Sequence, residues 1–120
     1  MKEDNLILKK GFDFAVRIVN AYRYLQNDKK EYVLSKQLLR SGTSIGANIH
    51  EAQAGQSKKD FIAKMSIASK EARETKYWIE LLIKTDYFSS ENASSTSLLS
   101  DIDEIIRLLT RIIKTAQENS

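Results

Sequence analysis

Apolar residues recur along this chain in alternating steps of three and four, which is the spacing of one face of an α-helix. The spacing predicts four amphipathic helices over about residues 6–26, 29–54, 58–86 and 97–117. The expected connections between the first three helices are short, which favours antiparallel neighbours. We therefore expect an all-α fold, an antiparallel up-down-up-down four-helix bundle, with residues 1–120 forming a single domain.

Polar residues indicate where the predicted helices begin and end. Asp28, followed three residues later by Glu31, resembles a capping box for the second helix. Ser57 is expected to cap the third helix, and Gly55 suits the end of the second. The polar stretch 89–96 is expected to form the longest loop.

The first and last predicted helices each carry two apolar stripes. On the first helix, the stripes are Leu8, Phe12, Ala15, Val19 and Tyr22, and Ile7, Phe14, Ile18, Ala21 and Leu25. On the last helix, they are Leu98, Ile102, Ile105, Leu109, Ile112 and Ala116, and Leu99, Ile106 and Ile113. A helix in a small monomeric bundle usually buries one stripe. A second stripe predicts a homo-oligomer in which the first or last helix packs against a neighbouring subunit.

The set Leu99, Ile106 and Ile113 is the predicted oligomer interface. If so, Ile106→Glu should dissociate the oligomer and leave the bundle folded. The alternative is a monomer with one unusually wide core stripe.

The second predicted helix places polar residues among leucine and isoleucine on its inward face, at Ser41 and Asn48. A buried polar group is costly unless it is hydrogen-bonded, so this face should meet specific polar partners. Arg40 is expected to pair with Glu74 on the third helix. The predicted structural network is Arg40, Ser44, Asn48, Glu51 and Glu74. Arg40, Asn48 and Glu74 are expected to be mostly buried, so that Arg40→Ala costs roughly 3–5 kcal/mol.

Two glycines, Gly42 and Gly46, lie inside the same predicted helix. Each costs on the order of 1 kcal/mol relative to alanine in a helix interior. Close packing of a neighbouring helix is the expected compensation, and a bound ligand is the alternative.

Composition supports an all-helical chain and narrows its class. The 120 residues include no proline and only four glycines, the usual helix breakers. Cysteine is absent, which excludes disulfides and thiolate metal sites. No apolar run has the length of a membrane span, and the N-terminus lacks a signal-peptide pattern. We expect a cytoplasmic protein with no membrane association.

The sequence contains no complete enzyme motif. His50 and Glu51 begin an H-E-x-x-H zinc motif, but Ala54 occupies the second histidine position. His50 is the only histidine, which excludes a histidine triad or cluster. Glu71 and Glu74 lack the Glu-x-x-His spacing of two-metal bundle sites. We expect no catalytic activity, no cofactor and no metal.

Positive charge is concentrated on the first and third predicted helices. Residues 1–30 carry seven Lys/Arg against four Asp/Glu, and residues 57–87 carry seven against five, within a net charge of +3. On each helix, cations and a tyrosine recur every seven residues, a pattern able to neutralise phosphates and stack on unpaired bases. The candidate nucleic-acid-binding residues are Lys9, Lys10, Arg17, Lys70, Arg73, Tyr77 and Lys84, and Tyr24 continues the first series. The alternative is a solvated helix face with tyrosine packed at its edge.

Seven residues of the second helix carry a resemblance to a known family. They are Arg40, Ser44, Ile45, Asn48, Ile49, Glu51 and Ala52. Their order resembles the R-x-x-x-S-I-x-x-N-I-x-E-A pattern of bacterial four-helix proteins encoded by intervening sequences in 23S ribosomal RNA genes. That family is similar in fold to the accessory protein of diversity-generating retroelements. The resemblance implies a homopentameric ring and partners that are RNA or nucleoprotein.

Two functional hypotheses follow from these patterns. The first is a non-enzymatic oligomeric protein that binds structured RNA or a nucleoprotein through the basic faces of the first and third helices. The second is a structural adaptor that binds another protein without nucleic acid. RNA binding that weakens steeply with salt would favour the first hypothesis.

Overall fold

The computed structural model describes residues 2–119 and contains four α-helices in this range. They are α1 (Lys2–Asn27), α2 (Leu34–Gln53), α3 (Lys58–Lys84) and α4 (Ala93–Glu118). Each helix packs against its neighbours in sequence, and α4 also packs against α1, which closes the bundle. The bundle is 47 Å long and 22 by 19 Å across. The predicted all-α four-helix bundle is confirmed.

The structure distinguishes the two stripes of α1. Ile7, Phe14, Ile18 and Leu25 are fully or almost fully buried and form part of the core. The other stripe is less buried, because Leu8, Ala15, Val19 and Tyr22 are half-buried and Phe12 is 69% exposed. The stripe that contains Phe12 therefore leaves a large aromatic side chain in solvent on the outer surface of α1.

The second stripe of α4 has a different environment. Leu99, Ile106 and Ile113 are half-buried and pack against the core of the same chain. They share the side of α4 with Thr110 and Asp103, whose side chains contact α3. Their place at an oligomer interface stays a prediction, and only part of each side chain is available for it.

The second helix begins about five residues later than its predicted start near residue 29. Lys30 adopts a left-handed conformation, with φ of 56°, which interrupts helical geometry. Glu31 is not the third residue of a capping box. Its own carboxylate accepts hydrogen bonds from the backbone N–H groups of Ser35 at 2.7 Å, Leu34 at 3.1 Å and Val33 at 3.3 Å. Glu31 therefore satisfies the free amides at the start of α2.

This capping carboxylate is almost fully buried. Burial raises the pKa of the Glu31 carboxyl, but the hydrogen bonds from Ser35, Leu34 and Val33 outweigh that effect and lower its pKa overall. The charged form of Glu31 therefore stabilises the connection between α1 and α2.

The connection between α3 and α4 is shorter than predicted. Asp86 has φ of 67°, and it ends α3 near Lys84. Asn92 caps α4 by accepting a hydrogen bond from the Ser94 amide at 2.8 Å, so that α4 begins at Ala93. The predicted cap of α3 is confirmed, because Ser57 Oγ accepts from the Asp60 amide at 3.1 Å.

Glycines let α1 and α2 approach closely. A Cβ atom at Gly46 would lie 3.0 Å from the backbone oxygen of Gly11. One at Gly42 would lie 2.7 Å from Cγ1 of Ile18. Close helix packing, the expected reason for both glycines of α2, is confirmed.

A hydrogen bond between hydroxyl groups joins α2 to α3 inside the core. Ser41 and Thr75 are both fully buried, and their hydroxyl oxygens lie 2.9 Å apart. Thr75 Oγ1 also lies 2.7 Å from the backbone oxygen of Glu71. The inward position of Ser41 and its need for a polar partner are confirmed. The partner, Thr75, was not predicted.

Candidate nucleic-acid interface

Ion pairs join α1 to α4. Within residues 3–119, three of them cross between these helices: Arg111–Glu3 at 2.7 Å, Lys10–Glu104 at 2.8 Å and Arg17–Asp101 at 2.6 Å. Arg17 also donates to Ser97 Oγ at 3.1 Å. The seven-residue spacing of Lys10 and Arg17 therefore matches an ion-pair seam between two helices of one subunit.

Lys9 and Tyr24, the other candidate residues of α1, also contact neighbouring side chains. Lys9 pairs with Asp13 one turn away, at 2.7 Å. The ring of Tyr24 packs against Phe88, with 6.5 Å between ring centroids. Lys29 Nζ lies over the same Tyr24 ring, 6.0 Å from its centroid. The positive charge of α1 is thus largely offset by nearby carboxylates.

The outer face of α3 is different. Lys70, Tyr77 and Lys84 are exposed and follow one another at seven-residue intervals, about 10 Å apart along the helix axis. Among the ion pairs formed by residues 2–119, none involves Lys70 or Lys84. Arg73 is exposed beside them and makes a long contact, 3.4 Å, with Thr110 Oγ1. Two lysines and one tyrosine on this face are therefore available to a ligand.

The cation on the α4 side of this face is not available in the same way. Lys76 pairs with Asp103 at 2.8 Å. A hydrogen bond with Asp103 and the charge of its carboxylate raise the pKa of Lys76. Lys76 therefore contributes to the contact between α3 and α4.

A hydrogen-bonded tryptophan positions Tyr77. The Tyr77 ring, 59% exposed, meets the Trp78 ring edge to face, with 5.2 Å between centroids. The Trp78 indole N–H donates to Glu74 Oε2 at 3.0 Å. A ring supported in this way loses little additional freedom when a flat ligand stacks on it.

The predicted Arg40–Glu74 pair is confirmed, but its surroundings differ from the prediction. Arg40 bonds to Glu74 and also to Glu71, at 3.1 Å from the latter. The Arg40 side chain is 49% exposed, and Asn48 and Glu74 are half-buried. The expectation of burial was wrong for Arg40, which lies at the edge of the α2–α3 contact, whereas most of the Glu74 side chain, 30% exposed, and of Asn48 is buried. Glu71 and Trp78 were missed, although each is one helical turn from Glu74.

The other predicted network members make local contacts. Asn48 donates to the backbone oxygen of Ser44 at 2.8 Å, and Ser44 donates to that of Arg40 at 2.6 Å. Glu51 is exposed and pairs with Lys64 at 3.0 Å. The five residues therefore do not form one continuous network.

Arg40→Ala is expected to lower the unfolding free energy by about 1–3 kcal/mol, because Arg40 itself is exposed but its loss leaves Glu71, whose side chain is 13% exposed, without this partner. This value is below the loss expected for a fully buried pair. Urea denaturation of Arg40→Ala, Glu74→Ala and the double variant would measure the coupling. A loss above about 3 kcal/mol for Arg40→Ala would contradict the exposed position.

The histidine, aspartate and glutamate side chains of residues 2–119 form no group of three suited to hold a metal ion. In the same range, no helix combines the length and apolarity needed to cross a membrane.

The geometry defines a class of protein, a small antiparallel four-helix bundle with an exposed basic face on α3. Residues 3–111 match the family described as 23S rRNA-intervening sequence protein, and the chain belongs to that family. The fold is similar to the crystal structure of a protein with unknown function from the S23 ribosomal protein family of Bacteroides thetaiotaomicron VPI-5482. The two are 56% identical with a TM-score of 0.89, over 93% of this chain and 98% of the other. No curated protein matches this chain.

These comparisons confirm the intervening-sequence part of the resemblance. The similarity to the accessory protein of diversity-generating retroelements stays a prediction.

Proposed function

We propose that this protein is a non-enzymatic RNA-binding protein that uses the outer face of α3. The observation that carries the proposal is the exposure of Lys70, Tyr77 and Lys84 on one helical face without ion-pair partners among residues 2–119. The family description, which names 23S rRNA, supports RNA as the nucleic acid.

The lysines and Arg73 act on RNA mainly through charge. Each can neutralise a phosphate and release bound counterions, which makes the affinity depend steeply on salt. Tyr77 can stack on a base that is not paired. The exposed residues on the outer face of α3 form no base-reading motif, so little sequence preference is expected. Lys9, Lys10 and Arg17 lie on α1 and pair with carboxylate side chains, so the unpaired lysines of α3 are the stronger candidates for phosphate contacts.

We further propose that the protein is a homo-oligomer, with the pentamer implied by its resemblance as the first state to test. The support is the apolar outer surface of α1, where Leu6, Phe12 and Val16 are exposed. An oligomer repeats the α3 face in every subunit, so several weak phosphate contacts combine into one avid site.

Replacing Lys70, Arg73 and Lys84 together with glutamine is expected to weaken RNA binding by at least about tenfold at low salt. It should also reduce the slope of log affinity against log salt by about 2, since each phosphate contact on a single strand contributes about 0.7. Fluorescence anisotropy with a labelled oligouridine and a labelled RNA hairpin would measure both effects. Light scattering would check that assembly is unchanged.

A charge-matched control is available on the other helices. Arg23, Arg107 and Lys114 are exposed, and their replacement by glutamine removes the same charge elsewhere. This control should retain most of the affinity. If the wild-type protein binds neither RNA at low salt, the proposal fails and the adaptor hypothesis replaces it.

A further inference from the structure

In the connection between α1 and α2, a charged residue is buried and two large apolar residues are exposed. Glu31, which is charged, is 8% exposed, whereas the next two residues, Tyr32 and Val33, are 52% and 71% exposed. A buried charge beside exposed apolar side chains is the informative exception to the general pattern. The exposed pair therefore needs a reason.

The connection is held in place by hydrogen bonds, so Tyr32 is not on a loose loop. The Glu31 amide donates to the backbone oxygen of Leu25 at 2.9 Å, which ties the connection to the end of α1. Ser35 Oγ donates to the Glu31 backbone oxygen at 2.8 Å, which ties it to α2. The Glu31 carboxylate binds the first amides of α2 from the same position. These contacts fix the backbone on both sides of Tyr32 and Val33.

The register of α2 against α3 places this connection next to the basic face. Arg40 lies level with Glu74, as their ion pair shows. Lys36 lies one turn from Arg40 towards the start of α2, on the same side of the helix. Tyr77 lies one turn from Glu74 in the same direction, because the helices are antiparallel. Lys36 and Tyr77 therefore lie at about the same height on adjacent helices.

The connection between α1 and α2 lies closer than Lys36 to the level of the C-terminal end of α3. Val33 lies three positions before Lys36, so that Val33 and Tyr32 reach the height of the last turn of α3, which carries Lys84. The exposed charges of this segment are Lys29, Lys30 and Lys36 against Asp28. Lys36, like Lys70 and Lys84, is in none of the ion pairs formed within residues 2–119.

We infer that Tyr32 and Lys36 extend the α3 surface into a site for an unpaired stretch of RNA. This inference rests on the proposed function. A base stacks on Tyr32, a second base stacks on Tyr77, and Lys36 neutralises a phosphate between the two helices. Two rings at different heights suit a strand whose bases are free, because bases inside a duplex do not offer their faces.

The test compares a short oligouridine with a blunt RNA duplex of the same length. Tyr32→Ala is expected to weaken oligouridine binding roughly tenfold, since the variant loses the ring on which a base stacks. The duplex should be affected much less. Tyr32→Phe should retain the affinity, because it keeps the ring. Lys36→Gln should lower the salt slope for oligouridine by about 0.7.

Matched controls separate this site from a general effect on folding or charge. Tyr24→Ala removes a tyrosine that packs against Phe88, and Lys114→Gln removes a cation on the exposed side of α4. Both should leave the preference for oligouridine over duplex unchanged. Circular dichroism and melting of every variant would verify the fold.

The outcomes distinguish this inference from the proposed function. If Tyr32→Ala binds oligouridine as tightly as the wild type while the Lys70, Arg73 and Lys84 variant loses binding, the inference is overturned and the proposed function stands. Equal weakening on oligouridine and duplex also overturns the stacking role of Tyr32. If the wild-type protein binds no RNA, both fail.

Discussion

Phe12→Glu is expected to convert the assembled protein into monomers that keep the four-helix fold. Phe12 is 69% exposed, so the substitution removes little packing within one subunit. In an oligomer the same position would place a carboxylate in an apolar contact without a partner, which is strongly unfavourable.

The groove beside Phe12 explains why a neighbouring subunit could pack there. Phe12 borders a groove of about 550 Å³ between α1 and α2, whose α2 wall includes Thr43, Gly46 and Ala47. These small side chains leave space that a larger side chain would fill. The protruding ring and the adjacent groove form one apolar surface of the kind that oligomers bury.

Light scattering at micromolar concentration would measure the effect, with 13.7 kDa as the mass of one chain. Ile106→Glu is the matched comparison. Because Ile106 is half-buried against the core, its replacement should lower the melting temperature. The sequence pattern had predicted only dissociation of the oligomer, with the bundle left folded. A wild-type monomer would contradict the assembly proposal. An oligomer that survives Phe12→Glu but dissociates with Ile106→Glu at unchanged stability would place the interface on α4.

Hydrophobic spacing predicted the fold because burial of one helical face depends mainly on which residues are apolar. Helix ends were harder to predict, because they depend on single hydrogen bonds and backbone angles. The start of α2 illustrates this. Spacing extends the helix back to residue 29, but Lys30 turns left-handed and the buried carboxylate of Glu31 begins the helix at Leu34.

The candidate site shows a similar division. Seven-residue spacing of cations arises both on a solvated face and on an ion-pair seam, and sequence alone does not distinguish them. Lys70 and Lys84 are on the first kind of surface, whereas Lys10 and Arg17 are on the second, because α4 presents Glu104 and Asp101 to them. Only the packing of α1 against α4 reveals that difference.

The sequence pattern predicted the environments of Arg40 and Tyr32 wrongly, for related reasons. Arg40 is close in helical angle to the buried seam, and the resulting edge position leaves its side chain half exposed. Tyr32 was predicted to lie inside a helix, where its exposure had no special meaning. Its exposed position before the start of α2 depends on the hydrogen bonds of Glu31, which spacing does not encode.

Gly42→Ala is expected to destabilise the bundle by about 1–3 kcal/mol through overpacking, even though alanine favours helix by about 1 kcal/mol over glycine. A Cβ at Gly42 would lie 2.7 and 2.8 Å from the two γ-carbons of Ile18. Ile18 is fully buried, and its branched side chain has few alternative rotamers. The helices must therefore shift, or Ile18 must leave its favoured geometry.

A second substitution tests this cause directly. In an Ile18→Ala background the γ-carbons are gone and only the Cβ of residue 18, 3.2 Å from the added Cβ, stays close. Gly42→Ala should then become nearly neutral or stabilising, because its helix propensity offsets this milder contact. Urea denaturation of the two single variants and the double variant, at one protein concentration, would give the coupling energy. The destabilisation caused by Gly42→Ala should therefore be lost in the Ile18→Ala background. Equal destabilisation in both would show that Ile18 is not what requires glycine at this position.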